Sequence, residues 1–159
     1  MFRIRSTMAK RCWLAVLVLN VALAIGPASA PHAQNNWEAL LEELTADGSI
    51  TKGALAVHEG PFLARGFDFH VSTDEVLAIV EAFDDPEAAR ASGITAEGTR
   101  YLLMDADAET LYARFGSTGL VAVRTERVVV IGLHNGTRLP SIAQQAARNV
   151  ADVIRSMGY

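Results

Sequence analysis

Apolar positions along the chain follow three patterns, and each predicts a different kind of element. From Trp13 to Ile25 the run WLAVLVLNVALAI carries no charge and is apolar on every side. Farther on, Trp37, Leu40, Leu41 and Leu44 recur at three- and four-residue spacing, which predicts an amphipathic helix over 37–46. Asn35 or Asn36 can cap its start, and Asp47-Gly48 ends it. Ala54 to His58 and Phe62 to Gly66 read as two short strands about the turn Glu59-Gly60-Pro61. A second helix begins at Ser72 or Thr73, with Asp74 and Glu75 favouring its positive end. Val76, Ile79, Val80 and Phe83 form its apolar stripe, and Asp84-Asp85-Pro86 stops it. Residues 86–91 are expected to add one or two further helical turns.

From Ile94 onward the pattern is β. Four runs are expected as strands: Thr99 to Met104, Thr110 to Phe115, Gly119 to Thr125 and Arg127 to His134. The turns between them are short, which implies an antiparallel meander. Val128 to Ile131 is apolar throughout, as a central strand buried on both faces would be. Thr137 to Pro140 opens a last helix with Ile142, Ala146, Val150, Val153 and Ile154 expected inward, ending near Met157-Gly158. The expected fold is therefore α+β. A hairpin and a four-stranded meander share one antiparallel sheet, with the first and last helices on one face and the middle helix on the other.

Composition changes this picture at the N-terminus. The chain has 159 residues, half of them hydrophobic, with a formal net charge of −4. Arg3, Arg5, Lys10 and Arg11 precede the apolar run, and no acidic residue occurs before Glu38. A basic start, about a dozen apolar residues and then Gly26-Pro27-Ala28-Ser29-Ala30 have the layout of a secretory signal. The run is shorter than the roughly 20 residues that span a bilayer. A buried core helix is the alternative, although such helices are usually amphipathic. Cleavage after Ala28, Ala30 or Ala33 fits the small-residue pattern, with Pro31 hindering the middle choice. The chain thus divides into an export-like segment, 1–30, and one domain, 31–159.

Residues 31–159 keep ten basic residues, the fourteen less those four, and all eighteen acidic ones, for a net charge of −8. That excess excludes a basic nucleic-acid binder and disfavours an anionic phosphoinositide surface. The single cysteine, Cys12, lies in the leader, so no internal disulfide is expected.

Little points to catalysis. Asp68, His70 and Ser72 are a nucleophile–histidine–acid set in name, but all three crowd one short stretch. Asp105-x-Asp107-x-Glu109 is too short for a cation loop and reads as a hairpin turn. No phosphate loop, nucleophile elbow or zinc pair is present in the sequence. No enzyme, metal or cofactor is expected.

Several strings in order resemble the profilin family over 36–159. Asn36-Trp37 before an amphipathic helix is similar to the family's start. Gly60-Pro61-Phe62-Leu63-Ala64 resembles its Gly-Ser-Val-Trp-Ala hairpin. Ser92-Gly93-Ile94 and Gly98-Thr99-Arg100-Tyr101 resemble its Thr-Gly-Leu and Gly-Thr-Lys-Tyr segments. Arg114-Phe115-Gly116, Val128 to Gly132 and the closing Met157-Gly158-Tyr159 are similar to its later strands and end.

The resemblance implies a monomeric binding protein for monomeric actin and for proline-rich peptides. For actin it carries over Thr99, Arg100, Arg114, Arg124, Gln144 and Arg148. The bland reading of these arginines is a solvated face paired with Asp105, Asp107, Glu109 and Glu126. For the proline groove it carries over Trp37, Leu40, Leu63, Val153 and Tyr159, where the family has aromatics at most of these positions. Two aromatic walls remain, so proline-rich peptide binding is expected to be weak or absent. Packing between helices is the bland reading of Trp37.

If the leader is an export signal, the actin would belong to a host cell. If it is not, the protein belongs to the cytoplasm and its cytoskeleton. The rival function is a periplasmic sensor or adaptor, which a ligand pocket bounded by Phe67, Phe69, Phe83 and Tyr101 would favour.

Overall fold

A computed structural model describes residues 32–159. The export-like segment lies outside the described residues. The elements run α1 (His32–Thr45), β1 (Lys52–Val57), β2 (Phe62–Arg65), α2 (Thr73–Asp84), α3 (Pro86–Ser92), β3 (Ile94–Ala96), β4 (Thr99–Ala106), β5 (Thr110–Phe115), β6 (Thr118–Arg124), β7 (Val128–His134) and α4 (Pro140–Ser156). All seven strands form one antiparallel sheet in the order β2-β1-β7-β6-β5-β4-β3.

The sheet divides two cores. On one face α2 and α3 close over Phe69, Val76, Ile79, Phe83, Tyr101 and Leu103. On the other, α1 packs on β1 and β2, and α4 packs on β6 and β7. Leu44, Leu55, Val121, Val130, Val150 and Ile154 fill that second core. Every residue of β7 is buried, as its unbroken apolar run predicts. The expected layering holds: the terminal helices share one face, and the middle helix takes the other.

Helix α2 starts where its sequence says. The Ser72 hydroxyl accepts from Glu75 N, and the Glu75 carboxylate accepts from Ser72 N, a reciprocal cap. Asp85 ends α2 and caps α3 at once, its carboxylate accepting from Ala88 N at 3.0 Å. Pro86 at the first turn of α3 gives up an N–H that would have no helical partner.

Four expectations need correction. Helix α1 starts at His32 and not at Trp37, so Asn35 and Asn36 lie inside it and neither is its cap. The meander has five strands, because Ile94–Ala96 pairs with β4 through the two-residue turn Glu97-Gly98. Both turn residues have positive φ, +50 and +70, as such a hairpin requires. Glu97 disguises the turn because glutamate rarely takes that conformation. Next, Thr125 leaves β6: its hydroxyl accepts from Val128 N and shapes the following turn.

Last, α4 is rotated from the expected stripe. Ala143, Ala147, Val150, Ala151 and Ile154 face the sheet, whereas Ile142 and Val153 are exposed. The three alanines let the helix backbone approach β6 and β7 closely, so small side chains take the inner positions that larger ones were expected to fill.

Candidate functional site

Because α1 covers β1–β2 and α4 covers β6–β7, the β4–β5 end of their shared face is left open. Register fixes what stands there. Leu103 and Ala113 are cross-strand partners and belong to the α2-side core. Their neighbours Leu102 and Arg114 are partners too, and by alternation they point to the open side. Leu102 is 56% exposed and Met104, on the same strand at a bulge, is 59% exposed. Two large apolar side chains in water beside arginines form an apolar centre with a charged rim.

The structure gathers only part of the predicted set here. Arg114 lies on this face, its Nε donating to the Gly116 carbonyl at 2.7 Å. Arg100, at the outer edge, donates to the Ala91 carbonyl at 3.3 Å. On α4, Gln144 is half-buried and Arg148 is exposed. Arg148 reaches the β4–β5 turn, with Nη2 3.7 Å from the Asp107 carboxylate and Nε donating to Thr110 Oγ1 at 3.2 Å.

Arg124 and Thr99 lie elsewhere. The Arg124 guanidinium sits 5.0 Å from the centre of the Phe83 ring and pairs with Asp84 at 2.6 Å, on the α2 side of the sheet. Thr99 alternates with Tyr101 and Leu103, so it faces that side as well. Of the acidic partners named for a solvated face, Asp107 pairs with Arg148 and Glu109 with Arg155 at 2.9 Å.

Sequence reading missed Leu102 and Met104. Their signal was present: in TRYLLMDA, apolar residues occupy the outward as well as the inward positions of a strand buried on only one side. A lone outward apolar residue is ordinary, but two in succession are not.

A second locus is the seam between α1 and α4. The Trp37 and Tyr159 rings meet edge to face, centroids 5.2 Å apart and planes at 81°. Asn36 Nδ2 donates to Met157 Sδ at 3.0 Å beside them. Tyr159 is 40% exposed and Val153 is exposed, while Leu63 and Trp37 are half-buried against the core. Leu40 is buried in that core and offers no wall. Trp37 is half-buried, packed against that core and against the Tyr159 ring.

Other candidates dissolve into structure. Phe69, Phe83 and Tyr101 pack in one core and Phe67 stands fully in solvent, so the four do not bound a ligand pocket. Ser72 is committed to its cap, and Asp107 Oδ1 accepts from Glu109 N and Thr110 N within the hairpin turn. Among the described residues no group of three His, Cys, Asp or Glu side chains is placed to hold a metal.

Burial pushes the phenols of Tyr101 and Tyr112 above the ordinary tyrosine value. Hydrogen bonding from Ser49, whose backbone N–H donates to Asp47 Oδ1 at 2.7 Å, holds the Asp47 carboxylate below its usual range.

A curled antiparallel sheet with both terminal helices on one face and one open sheet end defines an α+β scaffold of the profilin type. A family model described as Profilin matches residues 35–159. The chain belongs to the profilin family. It is 30% identical over 125 residues to Profilin-2 of Acanthamoeba castellanii, covering 78% of this chain and 99% of that one. It is also 30% identical over 125 residues to Profilin-A of Physarum polycephalum, with the same coverage. Among solved structures, the cubic crystal form of Acanthamoeba castellanii profilin II superposes with a TM-score of 0.74 at 31% identity, covering 77% of this chain and 99% of that one. Two more distant structures share the fold: mouse profilin IIa in complex with a double repeat from the FH1 domain of mDia1, and a LokiProfilin2/rabbit actin complex. Their TM-scores are 0.65 and 0.64, at 14% and 13% identity; the first covers 77% of this chain and 99% of that chain, the second 74% and 93%.

Proposed function

We propose that this protein binds monomeric actin through the open face of β4 and β5 and the adjoining exposed side of α4. The observation that carries the proposal is the exposure of Leu102 and Met104 beside Arg114, on the part of the sheet that no helix covers. Interfaces place most of their energy in a few desolvated apolar or arginine anchors within a polar rim. Arg148 and Gln144 extend this surface onto α4, and Arg100 bounds it at the edge. Arg124 and Thr99, on the other side of the sheet, lie outside this surface. That a profilin of the same fold forms a complex with rabbit actin supports the choice of partner.

The test is actin assembly with the purified protein in excess over the actin. Binding to monomers is expected to slow spontaneous assembly and to shift actin monomers in size-exclusion chromatography. Neither effect, with the protein folded, overturns the proposal.

The Trp37–Tyr159 seam is the counterpart of a peptide groove reduced to one ring pair. Plain polyproline binds there weakly, because stacking area is lost with each missing ring.

The proposal includes export. It is motivated by the basic, apolar and small-residue order of positions 1–30, and it makes the actin partner that of another cell. Protein recovered from outside the cell should begin between Pro31 and Gln34 or just after Ala28. An intact Met1 on cytosolic protein overturns export and leaves actin binding standing.

A further inference from the structure

Beside Tyr159 lies a cleft of about 530 Å³. Its walls are the β4–β5 turn with Glu109, the end of β6 with Arg124, the β6–β7 turn with Glu126, and the end of α4 and of the chain with Arg155 and Tyr159. Nothing in the actin reading uses it.

Its two cations are already engaged. Arg155 pairs with Glu109 at 2.9 Å and Asp152 at 2.8 Å, and donates to the Arg124 carbonyl at 2.9 Å. Arg124 pairs with Asp84 at 2.6 Å and donates to the Ala108 carbonyl at 3.2 Å. Glu126 is exposed and has no ion-pair partner among the described residues. Of the four charged side chains that line the cleft, Arg124, Arg155 and Glu109 are held in ion pairs, which leaves Glu126 as its unpaired charge among the described residues. A cation is drawn towards that unpaired carboxylate.

Tyr159 belongs both to this cleft and to the ring pair with Trp37. A ligand stacked on the pair therefore stands at the edge of the cleft, which Tyr159 also lines. A polyproline II helix advances about 3.1 Å per residue, so a residue next to the prolines is within reach.

We infer that this seam selects proline-rich segments carrying arginine or lysine directly beside the prolines, with the basic side chain in the cleft next to Glu126. The inference rests on reading Trp37 and Tyr159 as a peptide groove. It adds a charge criterion to a groove whose stacking surface alone is small. A guanidinium also suits the site because it can lie on the Tyr159 ring while its N–H groups reach the carboxylate.

The test uses the full-length protein and three labelled peptides followed by fluorescence anisotropy: decaproline, decaproline with two arginines at one end, and decaproline with two glutamates there. Each charged peptide is made with the pair at either terminus, since chain direction is free. At about 50 mM salt, one arginine peptide should bind at least about tenfold tighter than decaproline, and the glutamate peptides weakest. Glu126→Gln should remove most of that advantage and Glu126→Lys all of it, leaving decaproline binding unchanged. Tyr159→Leu should weaken every peptide.

Equal binding of plain and arginine peptides, or an arginine advantage that survives Glu126→Lys, overturns the charge criterion and leaves the groove intact. If no peptide binds, the groove reading falls and the inference falls with it.

Discussion

The ammonium of Lys52 meets both oxygens of the Glu97 carboxylate, at 3.1 and 3.0 Å, although four strands separate β1 from β3 in the sheet. The sheet curls far enough to bring the two ends together. Glu97 Oε1 also accepts from His70 N at 2.8 Å, so one side chain ties the hairpin turn, the start of β1 and the loop before α2. This explains a glutamate at positive φ, where asparagine or glycine is easier. Glu97→Ala should cost about 1–3 kcal/mol in urea unfolding. A change below about 0.5 kcal/mol, the usual range for surface substitutions, would show that the clamp does not hold the curl.

Leu102→Asp tests the open face without touching a core. The side chain is mostly in water, so stability should stay within about 0.5 kcal/mol. Actin affinity should fall about tenfold or more, with Arg114→Glu giving a similar loss that grows as salt is lowered. The check is titration of labelled actin monomers. Unchanged affinity in both variants would move the contact off β4 and β5.

Gly119 and His134 are partners across β6 and β7, and a Cβ at 119 would strike the His134 imidazole. That ring is buried and stacks on Tyr112, centroids 5.8 Å apart and planes at 16°. It has nowhere to go. Gly119→Ala should destabilise by about 1–3 kcal/mol, measured by thermal unfolding, with Gly119→Ala/His134→Ala partly rescued.

Alkaline pH should unfold the protein through its buried phenols. Tyr101 and Tyr112 have folded pKa values raised by burial, so the fold favours their neutral forms. Their contribution is complete below the unfolded value near 10 and is lost as pH rises through the folded values. Ultraviolet titration of phenolate should show two tyrosines ionising late, together with loss of structure. Tyr112→Phe should reduce that loss, and an unchanged alkaline transition in this variant would remove Tyr112 from the account.

Much of the fold was legible because binary patterning and turn chemistry agreed. The cap at Ser72, the stop at Asp85-Pro86 and the apolar run of β7 each named an element that the structure contains. What stayed hidden depended on distance in sequence. Glu97 reads as a poor turn residue until Lys52 and His70 are beside it. The inner face of α4 reads as isoleucine and valine until β6 and β7 demand alanine. The arginines were visible as cations, but only strand register sends Arg114 and Arg124 to opposite sides of the sheet. Trp37 and Tyr159 stand at opposite ends of the domain's sequence, and only helix packing brings the rings together.

The strand order also governs how this chain behaves among copies of itself. An apolar β-branched stretch of the amyloid-prone kind, VVVI at the start of β7, is held between β1 and β6 with both backbone edges paired. The strands left at the rims are β2 and β3, of four and three residues. Rims that short offer a neighbouring molecule little ladder to extend, so the folded state resists edge-to-edge aggregation. The hazard lies before β7 has docked, when that stretch is still exposed.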